Sequence, residues 1–254
     1  MKVTFLGTGT SQGVPVIACD CDICSSTDPK DKRLRSSVLI NNGETNIVID
    51  SGPDFRQQML RENVKTLEAI LFTHEHKDHV AGLDDVRSYN YLQRKPMDIY
   101  AEKRVQEALR REFAYVFASY KYPGIPELKL HTIAPDQHLS INNISVLPIR
   151  VMHYKLPILG FKIGNFVYIT DANFIEEAVI EQIKNSKVLV INALREKEHV
   201  SHYNFEGALE VIKKVQPEKA FLTHISHKFY KQVEIEKKLP PNVYVAYDGL
   251  KITI

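Results

Sequence analysis

The chain has 254 residues, 44% hydrophobic and 25% charged, with a formal net charge of +2 and no run of five like charges. That balance suits a soluble globular protein with an ample core, and it marks no dedicated nucleic-acid or anionic-membrane surface, though a small anionic substrate stays compatible. The N-terminus lacks the basic and long apolar regions of a signal peptide and no apolar run reaches a membrane span, so a cytoplasmic location is expected.

Short β-rich runs come first in chain order: Lys2 to Leu6, Ser37 to Ile40, Asn46 to Asp50 and Ala69 to Phe72. Ala101 to Ala118 then places Val105, Ala108, Leu109, Phe113, Val116 and Phe117 at helical spacing. Strands follow at Ile144 to Val151, Phe166 to Thr170, Val188 to Asn192, Ala220 to Thr223 and Asn242 to Tyr247, with helices at Phe174 to Ile183 and Phe205 to Val215. Asn204 is the expected N-cap of the last helix. Strand-rich, helical and strand-rich again, the order predicts two β-sheets covered outside by helices. No Pro/Ser/Gly-rich linker or charge block divides the chain, which reads as one domain over residues 1–254.

Chemistry concentrates in Leu71-Phe-Thr-His-Glu-His-Lys-Asp-His-Val80. Residues two apart on an extended segment point the same way, so His74 and His76 can share one cation while Asp78 and His79, beyond the turn, reach a second. These residue types match borderline divalent metals. His153, Asp171 and His224 each stand where a strand gives way to a loop and could complete the cage. Taken singly, each histidine reads more readily as a satisfied structural residue, and the aspartate often as only a turn-former or helix cap.

The three cysteines, Cys19, Cys21 and Cys24, fall within six residues. An odd, tight cluster makes a poor disulfide framework and reads better as metal ligands, with His227 the best candidate for a fourth.

The series His74-x-His76-x-Asp78-His79, His153, Asp171, His224 resembles the ligand series of the metallo-β-lactamase superfamily over almost the whole chain. Within it the sequence is similar to the PhnP-type cyclic ribose phosphate phosphodiesterases. The matching stretches are Gly7-Thr-Gly-Thr10, Cys19-Asp-Cys-Asp-Ile-Cys24, Arg33-Leu-Arg-Ser36, Asp50-Ser-Gly-Pro-Asp-Phe-Arg56, Gly82-Leu-Asp-Asp85 and Leu222-Thr-His-Ile-Ser-His227. The resemblance implies an α/β (α+β) fold, a four-layer αββα sandwich with the active site at one edge of the paired sheets.

It further implies that His74, His76 and His153 hold one catalytic metal, that Asp78, His79 and His224 hold the other, and that Asp171 bridges them. Asp50 would orient ligands from behind. Cys19, Cys21, Cys24 and His227 would hold a structural zinc. The catalytic pair would be manganese or zinc, both suited to mixed imidazole and carboxylate ligands.

A hydroxide shared by two such metals would attack a small, cyclic or linear, phosphodiester in line. His202 would be general acid or phosphate anchor, and turnover would depend on it and on Asp78. His199 matches nothing in the family pattern, His131 and His138 read as exposed bystanders, and Arg33, Arg35 and Arg56 are not assigned to substrate. Neither nucleic acid nor membrane is an expected partner; similar enzymes suggest a homodimer. The rival readings are a tRNA 3′-end endonuclease or thioesterase on the same fold, and a noncatalytic metal-binding protein.

Overall fold

The computed structural model of the protein describes residues 1–120 and 122–254. Among the described residues fourteen strands form two seven-stranded sheets. The first seven in chain order are β1 (Lys2–Gly7), β2 (Ser37–Asn42), β3 (Thr45–Ile49), β4 (Ala69–Leu71), β5 (Met97–Ala101), β6 (Leu128–Thr132) and β7 (Leu139–Ile141). The other seven are β8 (Ile144–His153), β9 (Leu156–Ile163), β10 (Phe166–Tyr168), β11 (Val188–Asn192), β12 (Lys219–Thr223), β13 (Val243–Val245) and β14 (Lys251–Thr253). One sheet has the order β14-β1-β2-β3-β4-β5-β6 and the other β13-β12-β11-β10-β9-β8-β7, so the last strand returns to the edge of the first sheet. Both sheets are mixed: β3 to β6 and β10 to β13 pair in parallel, the remaining pairs antiparallel.

Alternation along the central strands builds the layers. Ile47, Ile49 and Leu71 face Phe161, Phe166, Tyr168 and Val190 in the core between the sheets, all fully buried. Val48 and Ile70 point the other way, under the helices α1 (Phe55–Arg61), α3 (Arg87–Gln93) and α4 (Lys103–Glu112), which supply Phe55, Met59, Tyr89, Val105 and Leu109. A single helical turn, α2 (Lys77–Val80), lies between α1 and α3, and another, α5 (Ala114–Phe117), follows α4. On the second sheet Val167, Leu189, Ile191 and Leu222 lie under α6 (Glu177–Ile183) and α7 (Phe205–Val215). The expected αββα layering is present. A last turn, α8 (Gln232–Ile235), follows β12.

Two predicted helices change bounds. Ala101 ends β5, and Phe113, at φ −109 and ψ 43, splits the expected 101–118 helix into α4 and α5. The helix expected from Phe174 begins at Glu177, because Phe174 bridges Met152 beside β8. α7 starts as predicted, with the Asn204 side chain accepting from Gly207 N.

Candidate metal centre

Strand ends deliver the polar side chains. Asp50, Asp171 and His224 each follow the inner run of a strand, and all three have positive φ, at 62°, 59° and 57°. A left-handed residue costs a non-glycine backbone of order 1–3 kcal/mol and turns its side chain out of the strand's alternation toward the sheet rim. His74, His76 and the helical turn with Asp78 and His79 follow β4, and His153 ends β8. Glycine permits the tight packing behind them: a Cβ at Gly52 would overlap the carbonyl oxygen of Asp78, and one at Gly82 that of Gly52. This accounts physically for two of the sequence motifs, Asp50-Ser-Gly-Pro and Gly82-Leu-Asp-Asp.

The donor atoms converge. Asp171 Oδ1 lies 3.4 Å from His79 Nε2 and 3.3 Å from His224 Nδ1, and Asp171 Oδ2 lies 3.2 Å from His202 Nε2. His79 Nε2 is 3.2 Å from Asp78 Oδ2, and His74 Nε2 is 3.0 Å from His76 Nδ1. His74, His76 and His153 form one potential ligand group and Asp78, Asp171 and His224 another, the donor atoms of each within 4.8 Å of one another; His79 groups with His74 and Asp171.

Hydrogen bonds from behind fix which nitrogens face inward. Asp50 is fully buried; its Oδ2 receives His79 Nδ1–H at 2.7 Å and Thr73 Oγ1–H at 2.8 Å, while Oδ1 receives Thr73 N–H at 2.9 Å. Thr73 Oγ1, having given its proton to Asp50, accepts from His74 Nδ1 at 3.0 Å. A single carboxylate thus sets the ring of His79 directly and that of His74 through a hydroxyl, leaving both Nε2 lone pairs inward. His153 Nδ1 donates to the Ser201 carbonyl oxygen at 2.8 Å, which frees its Nε2 likewise.

Buried His79 Nε2 has no hydrogen-bond partner, although two carboxylates stand within 3.4 Å of it. A buried nitrogen without a partner, facing two carboxylates, suits a shared cation. The electrostatics agree. Burial, then the charge on His79, holds His74 well below the usual histidine range, and burial brings His224 down to about 4, so both rings are neutral donors. Burial also opposes charge on His79, yet Asp78, Asp171 and Asp50 outweigh it and push that ring well above its ordinary value. The three carboxylates favour positive charge at this spot, which a proton or a divalent cation supplies.

A second cluster lies apart. Cys19, Cys21 and Cys24 place their sulfurs 3.2, 3.6 and 3.6 Å from His227 Nδ1. One nitrogen cannot hydrogen-bond three thiols, whereas tetrahedral zinc with Zn–S of about 2.3 Å and Zn–N of about 2.0 Å spaces S and N by about 3.5 Å. The Cys24 backbone N–H draws the Cys21 thiol down to about 6, toward the thiolate a metal needs.

A beta-lactamase superfamily domain model matches residues 45–225. The chain belongs to the metallo-β-lactamase superfamily. Within that superfamily it is PhnP-like: it is 34% identical to a solved structure of a new diphosphatase from the PhnP family, with a TM-score of 0.93 over 100% of this chain and 97% of that one. Zinc-bound PqqB from Methylobacterium extorquens, 20% identical with a TM-score of 0.81 over the full length of both chains, shares the fold. A curated relative, an octanoyltransferase of Porphyromonas gingivalis, is 42% identical over 256 residues, which is 100% of this chain and 52% of that protein. The chain spans about half the length, or less, of the curated relatives it matches. The fold of this superfamily implies divalent metals.

Among the side chains left out of the site in the sequence reading, some are placed as expected and some are not. His199, which lacked a family match, has Nδ1 3.1 Å from His202 Nδ1, and Ser201 Oγ lies 3.0 Å from the same His202 nitrogen. The His199-x-x-His202 spacing was the available signal. His131 is half-buried rather than exposed, pairing with Asp98 at 2.6 Å and stacked on Tyr100, whereas His138 is exposed as expected. Arg33 is buried and donates to Thr8 Oγ1, Ala246 O and Gln232 Oε1; Arg35 pairs with Asp54; Arg56 is exposed. Among the described residues no helix is long and apolar enough to cross a membrane.

Proposed function

We propose that this chain hydrolyses a small phosphodiester with two divalent cations at the rim, manganese or zinc, and carries a separate structural zinc. His74, His76 and His153 would hold one cation, Asp78, His79 and His224 the second, and Asp171 would bind both. Cys19, Cys21, Cys24 and His227 would hold the zinc. The convergence of histidines and acidic side chains on the Asp171 carboxylate carries the reading. When bound, two such cations supply Lewis acidity toward phosphoryl oxygens and lower the pKa of water.

The side chains do the rest. Asp50 keeps the His74 and His79 lone pairs aimed inward, which spares reorganisation during turnover. His202, 12% exposed at its side chain and with Nε2 beside Asp171, stands where it can deliver a proton to the departing alkoxide. Ser201 and His199 hold its other nitrogen.

The diphosphatase relative favours a second reading, hydrolysis of a phosphoanhydride, which the same cage can clamp. Acyl transfer is not carried over from the octanoyltransferase, since this chain matches only half of that protein. Metal-reconstituted protein assayed on bis(p-nitrophenyl) phosphate, a cyclic ribose phosphate, a nucleoside diphosphate and an acyl thioester decides between these. Diester turnover supports the proposal; thioester turnover alone contradicts it.

A further inference from the structure

Beside the rim opens a cavity of about 490 Å³, lined by His76, His153, Tyr154, Lys155, Leu156, Val200 and Ser201. Two of these are ligand candidates, so a molecule whose phosphorus sits at the centre extends directly into this space. The volume falls in the range of small-molecule pockets, about 300–1,000 Å³, and exceeds what a phosphate alone needs.

The wall is apolar and held open. Tyr154 and Val200 are 53% and 65% exposed, unusual for large apolar side chains standing together beside a reaction centre. Both backbones are nonetheless fixed by one residue: Asn173 Oδ1 accepts from Tyr154 N at 2.7 Å, and Asn173 Nδ2 donates to Val200 O at 3.0 Å. The His153 to Ser201 hydrogen bond ties the same two loops beneath. Tyr154 sits at φ 57° as the first residue of the two-residue turn between β8 and β9, where His153 pairs with Leu156. Lys155 Nζ lies 5.4 Å from the Tyr154 ring centroid and adds positive charge at the mouth.

We propose that this cavity is a subsite for a planar aromatic group, such as a nucleobase, carried by the phosphoester, with Tyr154 as its stacking face, Val200 and Leu156 as its sides and Lys155 drawing in the anion. The proposal rests on the phosphodiesterase reading. An aromatic side chain has only two χ angles to fix, so an exposed phenol ring on an anchored backbone loses little entropy on stacking, whereas a flexible acyl chain would gain more from a deeper, closed apolar tunnel.

Two measurements on the metal-loaded protein test it. The first compares KM and kcat for bis(p-nitrophenyl) phosphate and methyl p-nitrophenyl phosphate in wild type, Tyr154→Phe, Tyr154→Leu, Tyr154→Ala and Val200→Asp, each checked by thermal melting. Wild type and Tyr154→Phe should favour the diaryl ester by about tenfold in kcat/KM; Tyr154→Leu and Tyr154→Ala should erase the preference through KM, and Val200→Asp should weaken it. The second is calorimetric binding of adenosine 5′-monophosphate against ribose 5-phosphate, where the nucleotide should bind about tenfold tighter and Tyr154→Ala should abolish the difference.

Equal handling of both esters together with equal binding of both ligands overturns the subsite and leaves the hydrolase reading standing. Retention of the full aryl preference by Tyr154→Leu overturns the aromatic assignment in favour of a merely apolar one. Base-dependent binding that needs Tyr154, without turnover of any diester, keeps the subsite and removes the phosphodiesterase.

Discussion

Asp50 Oδ2 and His79 Nδ1 stand 2.7 Å apart with both side chains fully buried, and the same oxygen also receives the Thr73 hydroxyl that accepts from His74. One carboxylate behind the rim therefore controls the aim of two imidazoles that face different parts of the proposed cage. Asp50→Asn should lower metal affinity by about 10–100-fold, and Thr73→Val should loosen only the His74 side. Titration with a metal-sensitive dye checks this. Equal, unchanged affinity in both variants would show that the rings are aimed by packing alone.

His202 offers a sharper kinetic readout. His202→Ala should cut kcat by about 10²–10⁴-fold on esters with poorly acidic leaving alcohols. It should matter far less for p-nitrophenolate, which departs without a proton. His199→Ala should produce a milder version of the same pattern, since His199 touches only the far nitrogen of His202. A loss independent of the leaving group would assign His202 to binding the phosphate.

The cysteine cluster should behave as a fold element. Cys21→Ala should remove one zinc per chain and lower Tm while sparing the catalytic cations. It ties the 19–24 loop to the segment after β12 that also carries His224. A variant that keeps its zinc and Tm but loses turnover would contradict the structural assignment.

Much of this was legible in the sequence because it is local. The His74 to His79 block and the Cys19 to Cys24 cluster declare their ligand types at fixed short spacings, and the apolar runs of β3, β4, β10 and β11 carry burial on both faces. What could not be read depends on distant partners. β5, β6, β7, β9 and β14 are strands chiefly because a neighbouring strand is present, and Phe113 breaks the long predicted helix although its spacing fits one. His199 and Asn173 acquire their positions only once loops 153–156 and 199–202 meet. Buried Arg33 looked like any solvent-facing arginine until residues 8, 232 and 246 closed around it.

Asp248 predicts a pH dependence away from the rim. Burial raises its carboxyl to about 6 from an ordinary 3.8, against hydrogen bonds from Leu34 N and Thr8 Oγ1. A folded-state pKa above the unfolded one favours folding below about 4, and that contribution is lost as pH rises through about 6. Asp248→Asn removes this titration. The stability difference, variant minus wild type, should therefore increase by about 1–3 kcal/mol between pH 4 and pH 7.5 in denaturant titrations. A difference independent of pH would mean that Asp248 titrates alike in both states.

Metal stoichiometry tests the central claim most directly. Elemental analysis of the protein purified without chelator, beside Asp171→Ala prepared identically, should give two divalent cations plus one zinc per chain for wild type, and the zinc alone for the variant. Three metals surviving the loss of Asp171, or no metal beyond the cysteine-bound zinc in wild type, would contradict the account.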